Sequence, residues 1–118
     1  MADTTHEPGP EFDVTSSCER GMGLITLSGY IASNAEAAIL KAYDTVTQQG
    51  AKEIRFHCAS GIVLTSSGIA VLISTVAKAR KRSQRIVASG LSAHYKKIFS
   101  MIGLSEYVVI NDDTADKH

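Results

Sequence analysis

From Phe12 onward, apolar and polar positions alternate: Phe12, Val14 and Ser16 fall on one side of the chain, Asp13 and Thr15 on the other. A period of two marks a short strand. Gly21-Met22-Gly23 interrupts the pattern, and Leu24-Ile25-Thr26-Leu27 forms a second β-type run that ends at Gly29. Two such runs around a glycine-bearing turn predict a β-hairpin. The period then lengthens. Ala35, Ala38, Ile39, Ala42, Tyr43 and Val46 recur at helical spacing behind Ser33-Asn34-Ala35-Glu36. That tetrapeptide has the form of a capping box, with a hydroxyl at the N-cap and a carboxylate three residues later. The predicted helix runs to about Gln49, and Gly50 supplies a left-handed stop.

Glu53–Cys58 reads as the next strand, and Gly61–Thr65 as a connection that carries its own apolar residues. A second helix opens at Ser66-Ser67-Gly68, with Ile69, Leu72, Ile73 and Val76 as its expected buried stripe. Arg85–Ala88 is a further strand. Ser92 is the expected cap of a third helix, with Tyr95, Ile98, Phe99 and Ile102 inward and Gly103 at its end, and Tyr107–Ile110 is the last strand. The predicted order is β-β-α-β-α-β-α-β. An opening hairpin followed by alternating helices and strands implies an α/β domain: a mixed, mostly parallel sheet with helices packed on it. The polar segments 1–11, with Pro8-Gly9-Pro10, and 111–118 are expected to be flexible tails around a domain at 12–110.

Composition narrows the class. The chain has 118 residues, 44% hydrophobic and 20% charged, the size and mix of one soluble globular domain. Its longest apolar run, Ile69–Ile73, spans five residues, against about 20 for a membrane span. Without an export signal, the expected location is the cytoplasm. Cys18 and Cys58 lie far apart in apolar segments and read as isolated, buried thiols. His6, His57, His94 and His118 lack ligand spacing, so no metal or cofactor is expected.

Net charge is zero but unevenly spread: residues 1–19 hold five acids and no base, and residues 52–97 hold nine bases and one acid. The basic peak, Lys78-Ala79-Arg80-Lys81-Arg82, sits at the end of a helical pattern, where cations offset the negative end of the helix dipole. No basic stripe or aromatic platform accompanies it, so nucleic acid is not the expected partner. Catalytic templates are missing, and acids are almost absent from 54 to 105. An enzyme holding an anionic substrate at a helix N-terminus would have only His57 or His94 as base. The chain is therefore expected not to be an enzyme, and no residue is assigned a catalytic role.

One segment stands out: Leu64-Thr65-Ser66-Ser67-Gly68, three hydroxyls and a glycine at a helix start. One hydroxyl suffices for N-capping. Three in a row leave at least one exposed on the first turn, where free N–H groups and the helix dipole favour an anion such as phosphate. Capping and phosphate acceptance both remain open on these residues alone.

From Phe12 to Ile110 the sequence resembles the STAS domain family, whose best-known soluble members are bacterial anti-sigma-factor antagonists. Three pieces carry the resemblance. Leu27-Ser28-Gly29-Tyr30-Ile31 resembles a family pattern of Leu, any residue, Gly, any residue, then Ile or Leu. Thr65–Leu72 resembles the family's Asp-Ser-Ser-Gly turn and the helix after it. Ser92–Leu104 resembles a segment ending in Phe, three residues, Gly and Leu, here Phe99–Leu104.

The resemblance implies a regulatory protein–protein interaction domain that binds a serine kinase acting as anti-sigma factor, or another STAS-complex protein. Phosphorylation of the first Ser of the turn would switch it. By position that acceptor is Ser66, with Thr65 as second choice, and Thr65, Ser66, Ser67, Gly68 and Ile69 would form the contact surface. Self-association is a property of stress-complex relatives. Three positions depart from the family pattern: Thr65 replaces an Asp, Tyr30-Ile31-Ala32 lacks an acid, and His57 replaces an acid on the preceding strand. These losses motivate an alternative, a non-phosphorylated structural STAS subunit of a lipid-transport or stress-signalling complex.

Overall fold

The computed structural model describes residues 12–111, so the tails expected at 1–11 and 111–118 lie outside it apart from Asn111. Strands β1 (Phe12–Glu19) and β2 (Met22–Ile31) form the opening hairpin, paired antiparallel from Phe12↔Gly29 to Glu19↔Met22. Helix α1 (Glu36–Gln48) leads to β3 (Glu53–Cys58), and a two-residue strand, β4 (Val63–Leu64), precedes α2 (Ser66–Lys81). Then follow β5 (Arg85–Ser89), α3 (Ala93–Met101) and β6 (Val109–Ile110). The sheet order is β1-β2-β3-β5-β6, parallel after the hairpin, with β4 paired to the end of β2. The α/β class and the mixed, mostly parallel sheet are as expected, and so is the order of elements except for β4, which lies in the segment 61–65 read as a connection.

Alternation within the strands decides where the helices go. Ile25 and Leu27, Ile54, Phe56 and Cys58, and Ile86 and Ala88 are buried on one face. Val46 of α1 lies over Gly23 on that face. Leu72 and Val76 of α2 and Phe99 of α3 meet Phe56, Cys58 and Ala88 around a small apolar space. All three helices therefore cover one side. The opposite face carries Thr26, Arg55 and His57, which remain half-buried.

Several local expectations are corrected. Ser33 does not cap α1: Ser33–Ala35 is a short 3-10 turn whose N-cap, Ala32, makes no side-chain cap bond. The Ser33 N–H instead finds its acceptor on another element, Ser67 Oγ, at 3.0 Å. The buried stripe of α2 is Gly68, Val71, Leu72, Thr75, Val76 and Ala79. Ile69 is half-buried and Ile73 is 43% exposed. The helix is turned toward β5, so that small residues and Thr75, whose Oγ1 donates to Val71 O at 2.9 Å, take the inner positions. In α3 only Phe99 is buried. Ile102 is 48% exposed. The last strand begins at Val109, because Leu104–Glu106 forms a further 3-10 turn and the Leu104 carbonyl holds the amides of Tyr107 and Val108.

The basic end of α2 has a structural role, as expected: Lys78, Arg80 and Lys81 occupy its last turn. The Arg80 guanidinium lies 4.0 Å from the Tyr107 ring centre, a cation–π contact. Cys18 and Cys58 are free thiols, Cys58 buried and Cys18 only half-buried on the edge strand. Burial pushes the Cys58 thiol up to about 11. Among the described residues, no group of three or more His, Cys, Asp or Glu is placed to hold a metal ion. Among the same residues, no helix is long and apolar enough to cross a membrane.

One polar pair crosses the core. Buried Tyr43 donates to Gln84 Oε1 at 2.6 Å, and Gln84 Nε2 donates to Ala51 O at 3.0 Å and to Thr47 Oγ1 at 3.1 Å. This network ties the turn before β5 to α1. Tyr43→Phe strands Gln84 Oε1 in the interior and should cost about 1–3 kcal/mol in urea unfolding, with no change of fold. A second expectation concerns pH. The folded thiol of Cys58 keeps its proton above pH 9.0, where the unfolded thiol loses it. The folded state then binds more protons, so stability falls as pH rises from 9 towards 11. Unfolding midpoints across that range should fall more steeply for the wild type than for Cys58→Ala.

Candidate functional site

The hydroxyl triplet sits where β2, β4 and α2 meet. Parallel pairing of Tyr30↔Val63 and Ile31↔Leu64 brings the chain alongside the end of β2 just before the helix starts. Leu64 N–H is held by Tyr95 Oη of α3 at 2.9 Å. The next residue, Thr65, docks on Ile31: its N–H donates to Ile31 O at 3.0 Å, and its Oγ1 donates to the same oxygen at 2.9 Å. Both lone pairs of that carbonyl are thereby used.

Thr65 is also the N-cap of α2, accepting from Gly68 N–H at 3.1 Å. Its only hydroxyl proton is committed to Ile31. The 3.1 Å contact with Ser67 Oγ must therefore be a bond that Ser67 donates. Ser67 in turn accepts from Ser33 N–H. One directed chain results, from the Ser33 amide through Ser67 and Thr65 to the Ile31 carbonyl, and bonds in such a chain polarise one another. The predicted capping was right in kind, but it serves two helical segments at once.

Gly68 belongs to the same junction. It is buried, and a Cβ there would fall well inside contact distance of the Ile31 carbonyl. Its share in the expected contact surface is thus to let α2 approach β2 closely. Ile69 is half-buried and packs against the core.

Ser66 is different. It is exposed, and its side chain makes no hydrogen bond to any described residue. Of the first-turn amides, Gly68 N–H is capped by Thr65 Oγ1 and Ile69 N–H returns to Thr65 O. The amides of Ser66 and Ser67 have no partner among the described residues, so they are open to an anion at the positive end of the helix. Beside the turn, the cross-strand neighbours Tyr30 and Val63 are 37% and 43% exposed. No carboxylate lies in 30–35 or 63–70, and the nearest acid along the chain is Glu36 in the first turn of α1.

The structure brings Thr65, Ser66, Ser67 and Gly68 together but leaves both histidines outside the hydroxyl chain. His57 Nδ1 is 2.9 Å from Ser89 Oγ, in a cleft at the ends of β3 and β5 that Ser60, Ser92 and Tyr95 also line. His94 is exposed, edge-on to Tyr95. Sequence reasoning missed Ser33, Ile31 and Tyr95 as partners of the turn. Their bonds use backbone groups or cross more than 30 residues, and periodicity carries no sign of them.

The unequal roles of the three hydroxyls predict unequal costs. Thr65→Ala removes the cap and should destabilise by about 1–2 kcal/mol. Gly68→Ala forces the helix off β2 and should cost about 1–3 kcal/mol. Ser66→Ala should stay within about 0.5 kcal/mol of wild type. Chemical denaturation of the three variants measures the order directly, and Ser66→Ala as the costliest of them would contradict this assignment of roles.

Comparison with known proteins agrees with this architecture. Residues 16–110 match a family model described as "Mlab, STAS domain". Among solved structures the fold is similar to the Bacillus cell fate determinant SpoIIAA in its phosphorylated form, at 18% identity and a TM-score of 0.64, covering 89% of this chain and 95% of that one. An anti-sigma factor antagonist from Mycobacterium paratuberculosis aligns at 16% identity and a TM-score of 0.70, covering 90% of each chain. The protein TM1081 aligns at 11% identity and a TM-score of 0.72, covering 98% of this chain and 93% of that one. No curated protein sequence matches. On the family model, which spans the sheet, the hydroxyl turn and all three helices, the chain belongs to the STAS domain family.

Proposed function

We propose that residues 12–110 act as a cytoplasmic regulatory interaction domain of the anti-sigma-factor-antagonist kind, working by binding and not by catalysis. Its partner is a serine kinase that is also an anti-sigma factor, or another STAS-complex protein. The partner packs on the Ser66 turn and the exposed Tyr30–Val63 pair beside it. Phosphorylation of Ser66 ends the complex. The observation that carries this reading is the division of labour in the turn: Thr65 and Ser67 are tied into the fold, and Ser66 alone is exposed and unbonded. Phosphate on Thr65 would remove the proton that it donates to the Ile31 carbonyl, whereas phosphate on Ser66 breaks no bond. The resemblance in fold to SpoIIAA solved in a phosphorylated form adds support.

The switch is electrostatic. About two negative charges at Ser66 are favourable for the helix and unfavourable for a surface that had packed there without them. Thr65 in place of the usual Asp also has a reason here, since an ionised carboxylate cannot donate to the Ile31 carbonyl as Thr65 does. A second reading is favoured by the lack of a carboxylate around the turn: a non-phosphorylated structural subunit of a lipid-transport or stress-signalling complex that binds through this surface.

Intact-mass analysis of protein purified from its own host separates the two. A phosphate mapped to Ser66 is expected, and a chain that stays unmodified while its kinase is present favours the second reading. Ser66→Asp should leave the unfolding midpoint unchanged or slightly raised and weaken binding to the partner kinase by about tenfold or more. Loss of several kcal/mol of stability in Ser66→Asp would show a buried residue and exclude the switch.

A further inference from the structure

A groove between α2 and the end of α3 has no part in the Ser66 reading. Ile73, Ala77 and Arg80 form one wall, and their spacing of four and three residues puts them on one face of α2. Ile102 and Tyr107, just past the end of α3, form the other wall. Ile73, Ile102 and Tyr107 are exposed, and buried Val76 and Leu104 line the base. The α2 wall starts seven residues beyond Ser66, about 10 Å along the helix axis, and runs away from it.

Volume limits what can enter. The groove holds about 180 Å³, well short of the roughly 300 Å³ at which small-molecule sites begin. A cavity of about 150 Å³ takes one benzene, so the groove has room for one leucine or phenylalanine side chain. Charge sets what surrounds that anchor. Helices α2 and α3 carry Lys78, Arg80, Lys81, Lys96 and Lys97 and no acid. Lys78, Arg80 and Lys81 share the last turn of α2, where the helix dipole supplies only about half a negative charge. None of these three has an acidic partner among the described residues. The Arg80 guanidinium lies flat over the Tyr107 ring. Stacking occupies its face and fixes its position, and its N–H edge stays open to a carboxylate.

We propose that this groove is a second contact surface, separate from the Ser66 turn, and that it receives an acidic amphipathic helix of a partner protein. One leucine or phenylalanine of that helix enters between Ile73 and Ile102. A carboxylate three or four residues along, on the same face, meets Arg80. Further acids face Lys78 and Lys81. A helix suits the site because the long wall is itself a helix face, against which a second helix packs ridge into groove. The protein's own acidic ends do not supply the anchor. Residues 1–11 and 112–118 hold acids, but neither segment contains a leucine, isoleucine, valine or phenylalanine.

Selection on the full chain from a displayed library of random peptides, each about 20 residues long so that it can form a helix, tests this. Enriched sequences are expected to carry Asp or Glu three or four residues from a Leu or Phe. Their affinity, read by fluorescence anisotropy, should fall with added sodium chloride. It should drop about tenfold or more in Ile73→Ser and in Arg80→Gln. Both side chains are exposed, so both variants should keep the fold. Ser66→Asp should leave the affinity unchanged, which keeps this test independent of the Ser66 reading. An empty selection, enriched peptides without acids, or binding that survives both substitutions would overturn the proposal. So would co-sedimentation with phosphatidylglycerol vesicles, but not phosphatidylcholine vesicles, that is lost in Arg80→Gln, because the surface would then belong to an anionic membrane.

Discussion

The carbonyl of Ile31 is the point on which the functional end of this domain depends. It accepts both the amide and the hydroxyl of Thr65 and sets how near α2 can come, because only a glycine at 68 fits against it. The last residue of β2, the N-cap of α2 and, through Ser67, the amide of Ser33 are locked into one arrangement. A helix whose cap is held by another strand has a first turn that stays put. That fixed turn presents the Ser66 hydroxyl and two free amides in a set direction, which is what recognition by a partner requires. The rigidity comes from the Thr65 amide and from the Thr65 and Ser67 hydroxyls, so it does not rely on the side chain at position 66.

The same economy explains which way α2 faces. With Gly68 pressed against Ile31 O, the helix is rotated so that Val71, Leu72, Thr75, Val76 and Ala79 point inward. Ile73 is left 43% exposed in consequence, although its apolarity alone would place it inside. It joins Ile102 and Tyr107 in a shallow groove of about 180 Å³ under Arg80. A single close contact at the start of the helix thus outranks the hydrophobic preference of a residue about a turn and a half along. That ordering is reasonable: one steric overlap with backbone costs more than the partial exposure of one isoleucine.

The order of elements, the bounds of β3 and the capping role of Ser92 were legible because each is a local signal: period, propensity or a hydroxyl before a helix. The strand Val63–Leu64 was not, because two residues cannot show a period and its partner lies more than 30 positions earlier. The capping box at Ser33–Glu36 shows the opposite error. Its residues fit the pattern, but a distant hydroxyl, that of Ser67, reached the Ser33 amide instead. At the candidate site, the turn and its glycine could be picked out as unusual. Which of its three hydroxyls was spare could not be read, since that depends on atoms of Ile31 and Ser33.

By itself, then, the sequence determined the class of fold, the position of the hydroxyl turn at the head of α2 and the sparing use of acids around it. These follow from short-range patterns in which each residue's neighbours along the chain are also its neighbours in space. Tertiary structure decided the rest: that all helices lie on one face of the sheet, that Gly68 is a packing residue, that Thr65 and Ser67 are occupied, and that Ser66 is free. The physical reason is the same for each. Hydrogen bonds and steric contacts between residues 30 or more positions apart select among locally equivalent options, and only the folded chain brings those residues within reach of one another.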